Sequence, residues 1–359
     1  MFDLNTIWFL LIGVLLIGYA ILDGFDLGVG ILHPFAKNDN DRRLLLNSIG
    51  PVWDGNEVWL ITAGGALFAA FPNAYATAFS GFYLAFMILL FALISRAVSI
   101  EFRSKEKSLK WRNFFDYSFF AGSVISSLLF GVAVGNMIIG MEIGSDMEYT
   151  GGFLHLITPY AITTGIFNLS IFALHGAIYL NLKTEGELQN QVRNWAWRAF
   201  WIFLALYLIV TADTIIMRPE MIANFSFGLI KKSGLVHQIV SENPIAISII
   251  AWIIVLLNIL AIANIPRTLK KGKELQCFFS SASTIAALVF LFAVGVFPNM
   301  ITSDLNPDYS LNIYNSASSQ ATLTTMLIVA VIGLPFVLSY TISIYWIFRG
   351  KTKLNKHSY

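Results

Sequence analysis

Cysteine and charge are both scarce in this chain of 359 residues. A single thiol, Cys277, excludes any internal disulfide and any thiolate metal cluster built from this chain alone. Only 12 % of residues are charged against 57 % hydrophobic, and the mean hydropathy of +0.69 excludes an ordinary soluble globule and points to a polytopic membrane protein. The net charge of +2 is small and the basic residues lie in short loops, which excludes nucleic acid as a sensible partner. No connection is long enough to hide a soluble domain, since even 218–243 is too short and too mixed to build a core. The N-terminal apolar stretch has no basic leader, runs long and carries two Asp, so it reads as a retained first span.

Histidine is also sparse. His357 lies in the tail, His237 in an outer loop, and His33 before a proline at a helix end. His155 and His175 fall on one predicted span, about 30 Å apart at 1.5 Å per residue, too far to ligate one iron together. Methionines could pair with a histidine on iron, but lone intramembrane His and Met are more often packing partners. No haem or metal ligand is expected from this chain.

What is abundant is apolar sequence in runs of about twenty residues, the length that crosses roughly 30 Å of hydrocarbon. Nine runs are predicted, at 5–33, 53–71, 74–98, 114–141, 152–182, 195–217, 244–265, 275–297 and 321–348. With the N-terminus outside, twenty of the 23 Lys and Arg fall in inward loops, and only Arg218, Lys231 and Lys232 face out. That bias supports the odd count and a cytoplasmic C-terminus. The charges and leucines of 38–49 predict a short helix in the inner interface. Tryptophans such as Trp53, Trp59, Trp111 and Trp195 sit near predicted boundaries. Gly24-x-x-x-Gly28 and Gly131-x-x-x-Gly135 mark close helix contacts.

Against this apolar background, Asp23 with Asp26 and Asp54 with Glu57 stand out as acidic pairs three residues apart, all near the inner membrane face. An intramembrane carboxylate costs roughly 2.5 to 3.5 kcal/mol on insertion scales, so such acids are expected to do work. Asp54 and Glu57 follow Pro51 at a helix start, where the dipole favours negative charge. Arg96, Glu101, Arg103 and Asp116 bring further charge to the same side. Two roles are open for this set: a cytoplasm-facing proton or ion-pair cluster, or interfacial charges that fix helix ends. For Glu101, Arg103 and Asp116 simple solvation weighs equally. A proton-coupled secondary transporter is the competing class of function, although no paired broken helices are evident.

The segments Asp23-Gly24-Phe25-Asp26-Leu27-Gly28-Val29-Gly30, Trp53-Asp54-Gly55-Asn56-Glu57-Val58-Trp59-Leu60 and Thr62-Ala63-Gly64-Gly65-Ala66-Leu67-Phe68-Ala69-Ala70-Phe71-Pro72 closely resemble subunit II of bacterial cytochrome bd quinol oxidase. The likeness continues through Phe79-Ser80-Gly81-Phe82-Tyr83, Trp111-Arg112-Asn113, Gly186-Glu187-Leu188 and Ser318-Ser319-Gln320, over essentially the whole chain. The resemblance implies an all-α fold of nine transmembrane helices, two four-helix bundles plus one peripheral helix. The bundles would occupy 1–145, carrying the acids and the partner interface, and 146–300, with the ninth helix and tail in 301–359. It implies a multi-pass protein of the bacterial inner membrane, a non-haem-ligating subunit of an oxidase that oxidises quinol and reduces oxygen. The partner, subunit I, would carry two haems b and one haem d. A structural quinone in this subunit and a small single-span accessory subunit are also compatible with the family. By matched position, Asp54 resembles the acid on the proton route, with Glu101 at its inner mouth where relatives carry Asp. Asp23 and Glu57 are assigned to the same route, and Asp26, Arg96 and Trp53 to support of the haem site across the subunit boundary. Glu57 stands where relatives often have Gln, and this extra carboxylate either adds a proton site or makes it and Asp54 titrate as a unit.

Overall fold

A computed structural model describes residues 3–226 and 244–354. His237, His357, Lys231, Lys232 and Lys356 lie outside the described residues. Helix α1 (Leu4–Leu32) starts at Asp3, whose carboxylate accepts the Thr6 amide and so satisfies one of the free N–H groups of the first turn. From Asp23 to Leu32 every residue of α1 is buried, the mark of a helix packed on all sides. Helix α2 (Asp39–Ile49), capped by the Asn38 side chain on the Asp41 amide, is the short helix expected at 38–49.

Helix α3 (Trp53–Ala70) stops at Phe71, and Pro72, which has no N–H to donate, opens α4 (Pro72–Gly81). Non-helical Phe82, with ψ 17°, separates α4 from α5 (Tyr83–Phe102). The continuous run predicted at 74–98 is therefore two helices, because hydropathy averaging is blind to a one-residue joint. Helix α6 (Leu109–Ile139) begins earlier than the predicted 114, which places Asp116 inside the helix rather than at its start. Helix α7 (Pro159–Lys183) begins after the Thr158 cap and Pro159, so His155 does not belong to it. That residue sits in a separate 3-10 turn, Phe153–Leu156. Gly186, at φ +65°, makes the turn into α8 (Gly186–Met217). The short α9 (Pro219–Ile222), then α10 (Pro244–Lys270), α11 (Glu274–Val296) and α12 (Gln320–Ile347) complete the helices described.

Among the described residues eight helices are long and apolar enough to cross a membrane: α1, α5, α6, α7, α8, α10, α11 and α12. The 18-residue α3, with Asp54, Asn56 and Glu57 in its opening turns, is not among them. The protein is an all-α polytopic membrane protein. A two-stranded antiparallel ribbon, β1 (Asn299–Ile301) with β2 (Leu311–Asn312), covers the end of the helices that carries Trp8 and Phe71.

Glycine sets the closest packing. A Cβ on Gly28 would lie 2.0 Å from the Phe172 carbonyl oxygen, and one on Gly176 2.4 Å from the Gly28 carbonyl carbon. The backbones of α1 and α7 thus touch at a point where no larger residue fits. The Gly131 and Gly135 seam brings α6 against α7 in the same way, with Thr164 O and Ala161 Cα as neighbours. Helix α12 is peripheral, with nearly all of its surface exposed, and is fastened at both ends. Trp8 Nε1 donates to Leu323 O at 2.9 Å, while beyond the far end Lys183 Nζ donates to Phe348 O and Lys351 pairs with Glu274 at 2.6 Å.

Candidate functional site

Two ionic groups are built where α1, α3, α5 and α6 converge. In the deeper one, α5 delivers Arg96, whose side chain is fully buried. Its Nη2 donates to Asp23 Oδ1 at 2.6 Å and its Nη1 to Glu57 Oε1 at 2.5 Å, tying α1 and α3 to α5. A guanidinium presents its donors as a rigid fork, which lets one side chain serve two acids on separate helices. Gly122 on α6 gives the arginine room, since a Cβ there would meet Ala92 O at 2.5 Å and the Arg96 Cβ at 3.2 Å. Asp26, one turn after Asp23 and equally buried, accepts instead from Asn56 Nδ2 at 2.7 Å. Asn56 Nδ2 also reaches Leu22 O at 3.3 Å, and its Oδ1 accepts from the Tyr345 hydroxyl at 2.8 Å. Acid, amide and phenol therefore link α1, α3 and α12. One oxygen of each aspartate, Asp23 Oδ2 and Asp26 Oδ1, has no protein hydrogen-bond partner among the described residues.

The second group centres on Asp116 of α6. Its Oδ1 accepts from Arg103 Nε at 2.5 Å and faces His33 Nε2 at 2.6 Å, and its Oδ2 accepts from Arg42 Nη1 at 2.9 Å. Arg103 Nη2 continues to Asp39 at 2.8 Å, which Arg112 also holds at 2.8 Å. Arg103 and Asp116 are buried, not solvated, because a carboxylate ringed by three cationic or polar partners keeps its charge satisfied away from water. These charges thus form two knots, not the single cluster expected of four consecutive helices.

Asp54 joins neither knot. It is exposed in the first turn of α3 and accepts only the neighbouring Gly55 amide, at 2.7 Å. Glu57, expected to titrate with it, points the other way into Arg96. Glu101 is half-buried near the end of α5, and Trp53 packs against the core that surrounds Phe25. Asn56, Tyr345, His33, Arg42 and Asp39 were not picked out as site residues. Asn56 had a visible signal, being enclosed between Asp54 and Glu57; Tyr345 had none, because only the tertiary fold brings it near.

The other histidines among the described residues, His155 and His175, are spent on protein contacts. His175 uses both ring nitrogens, on Ser281 Oγ at 2.8 Å and Ile21 O at 3.1 Å, and His155 pairs with Glu142 at 3.0 Å. No group of three or more His, Cys, Asp or Glu among the described residues is placed to hold a metal ion.

Fold and site together define a helical membrane protein with buried ion pairs and, beside them, the buried Asp26, one oxygen of which has no protein hydrogen-bond partner among the described residues. The sequence profile of the cytochrome bd terminal oxidase subunit II family matches residues 4–348. Curated relatives include the cytochrome bd-I ubiquinol oxidase subunit 2 of Escherichia coli K12, 37 % identical over 97 % of this chain and 95 % of the relative. The cytochrome bd ubiquinol oxidase subunit 2 of Bacillus subtilis is 34 % identical over 98 % and 97 %. A chain in the structure of bd oxidase from Geobacillus thermodenitrificans superposes with TM-score 0.76 over 96 % of this chain and 98 % of that one, at 15 % identity, a likeness of fold.

The chain belongs to the cytochrome bd terminal oxidase subunit II family. It is a subunit of a quinol oxidase complex, an oxidoreductase, and a multi-pass protein of the bacterial inner membrane. The assignment does not favour the secondary transporter.

Proposed function

We propose that this chain is the subunit that ligates no haem, supports the haem-bearing subunit I, and passes protons from the cytoplasm sideways into that partner through Asp54. The observation that carries this reading is the surface of α3. Asp54 heads a stripe in which Val58 is 51 %, Ile61 72 % and Phe68 59 % exposed, at the spacing of one helix face. Lipid would suit the apolar residues but not the carboxylate, whereas a partner protein that supplies polar groups opposite position 54 suits both. The same contact would give an acid at the subunit boundary, with Glu101 towards the cytoplasm as the entry.

In this reading α3 is the ninth span, the N-terminus lies outside and the C-terminus inside. The two knots then lie near the cytoplasmic face, and 1–145, 146–300 and 301–359 are the interface bundle, the second bundle and the peripheral helix with its tail. Asp23, Glu57 and Arg96 form the buried support behind the α3 surface, with Asp26 and Trp53 beside them; Asp23 and Glu57 are also proton sites of the route. Two haems b and one haem d belong to the partner, which supplies the oxygen-reducing chemistry and binds the quinol. A single-span accessory subunit and a structural quinone complete the expected assembly.

A photocrosslinking residue at Ile61 tests the interface in the assembled oxidase. It should capture the haem-bearing chain, while the same probe at Trp201, exposed on α8, should not. Capture only of lipid at position 61 would overturn the assignment of this face.

A further inference from the structure

Helices α10 and α11 leave between them an open groove of about 920 Å³, floored by Ile17 of α1. The volume is in the range of small-ligand sites, ~300–1,000 Å³, and well above a packing defect. Its length is apolar, lined by Leu257, Leu260, Phe279 and Phe290, but one end is polar. There Arg267, near the end of α10, faces Gln276, in the first turn of α11, with Ser283 one level deeper.

Three features separate this end from an ordinary lipid-facing seam. Arg267 is exposed, and among the described residues its side chain makes no ion pair or hydrogen bond, nor do the side chains of Gln276 and Ser283. Lys270, Lys271 and Lys273 follow Arg267 in sequence, with Lys270 over the Trp197 ring, so basic residues surround this end of α10, while the nearby acid Glu274 is already held by Lys351 at 2.6 Å. Arg267 also lies at the last turn of a membrane-crossing helix, the depth of phosphate headgroups.

Apolar walls alone select nothing inside a bilayer, because the tails around them are equally apolar. Selection must come from the headgroup. A guanidinium with free donors beside a free amide matches a phosphodiester, and the surrounding lysines favour a net negative headgroup. We propose that this groove is a binding site for an anionic glycerophospholipid, one acyl chain seated between α10 and α11 and the phosphate held by Arg267 and Gln276. The polar groups of the site lie on α10 and α11, and none of the acids of α1 and α3 lines it, so it neither needs nor supports the proton reading.

The test uses the assembled oxidase purified in mild detergent, with bound lipid counted by native mass spectrometry. The parent complex should retain one more phosphatidylglycerol than Arg267→Gln, and Ala263→Trp, which fills the groove wall, should lose the same molecule. A delipidated parent complex titrated with phosphatidylglycerol in phosphatidylcholine bilayers should bind it saturably and roughly tenfold more tightly than Arg267→Gln, the scale of one charge-assisted hydrogen bond. Non-saturable uptake of phosphatidylglycerol by the parent complex, or equal retention in both variants, would overturn the proposal. So would a prenylquinone found as the retained molecule. The titration of the parent complex decides the matter even where a variant does not assemble.

Discussion

Arg96 Nη2 stands 2.6 Å from Asp23 Oδ1, and neither side chain is open to solvent. Because the same guanidinium also holds Glu57, removing it strands two acids at once. Truncating one partner of a buried pair typically costs ~3–5 kcal/mol. Arg96→Ala should therefore give an oxidase that accumulates poorly and is depleted of haem. Reduced-minus-oxidised spectra normalised to protein would show the loss, and Arg96→Lys, which keeps the charge but not the fork, should fall between.

Asp54→Asn is expected to behave differently. Among the described residues that exposed carboxylate accepts a hydrogen bond from the neighbouring Gly55 amide, which the Asn side-chain oxygen can also accept, so stability should shift by no more than about 0.5 kcal/mol. Haem content should persist while oxygen reduction slows on the order of tenfold or more, a barrier increase of ~1.4 kcal/mol. Oxygen-electrode turnover together with proton uptake decides this, and unchanged values for both would remove Asp54 from the route.

Asn56 can be dissected by comparing two variants. Asn56→Ala deprives the buried Asp26 of its amide donor and should lower stability by ~1–3 kcal/mol, whereas Tyr345→Phe deletes one hydrogen bond and should cost ~0.5–1.5 kcal/mol. Thermal unfolding of the intact complex would rank them. An equal effect would place the importance of the site in the α12 contact and not in the acid.

Asp116→Asn should loosen α2. Arg42 and Arg103 lose the acid that holds them beside His33, and of the ion pairs that reach the short helix those of Asp39 with Arg103 and Arg112 remain among the described residues. Hydrogen exchange across 38–49 should accelerate by at least an order of magnitude, about 1.4 kcal/mol of local stability. Unaltered protection there would mean that α2 is held by Leu45, Leu46 and Ile49 in the core instead.

Gly28→Ala puts a methyl group 2.0 Å from the Phe172 carbonyl oxygen. Since this is backbone, no rotamer change relieves it, and strain of ~1–3 kcal/mol or more is expected from overpacking. The measurable outcome is reduced complex yield at raised growth temperature.

Much of this was legible because membrane helices announce themselves by length and hydropathy, and because acids are conspicuous against a background this apolar. Asp23, Asp26, Glu57 and Arg96 were legible as a group for that reason, and the structure brings Arg96 onto two of those acids. Hydropathy could not find the joint at Phe82, the early start of α6 at Leu109 or the late start of α7 at Pro159, since each is set by local caps and turns. Nor could it assign direction around a helix. Asp54 and Glu57 are three residues apart, yet one faces out and the other in, because only Glu57 meets the arginine that α5 supplies. His33 stands at a helix end before a proline, as its sequence position indicates, but only the fold shows it buried against Asp116, a contact spanning 83 residues of sequence.

The hydroxyl of Tyr345 meets Asn56 across 289 residues of sequence. The amide beside Asp26 is therefore fully engaged only when α12 is seated, so an insertion or deletion that slides α12 along its axis would disturb the acid through the amide without altering either residue.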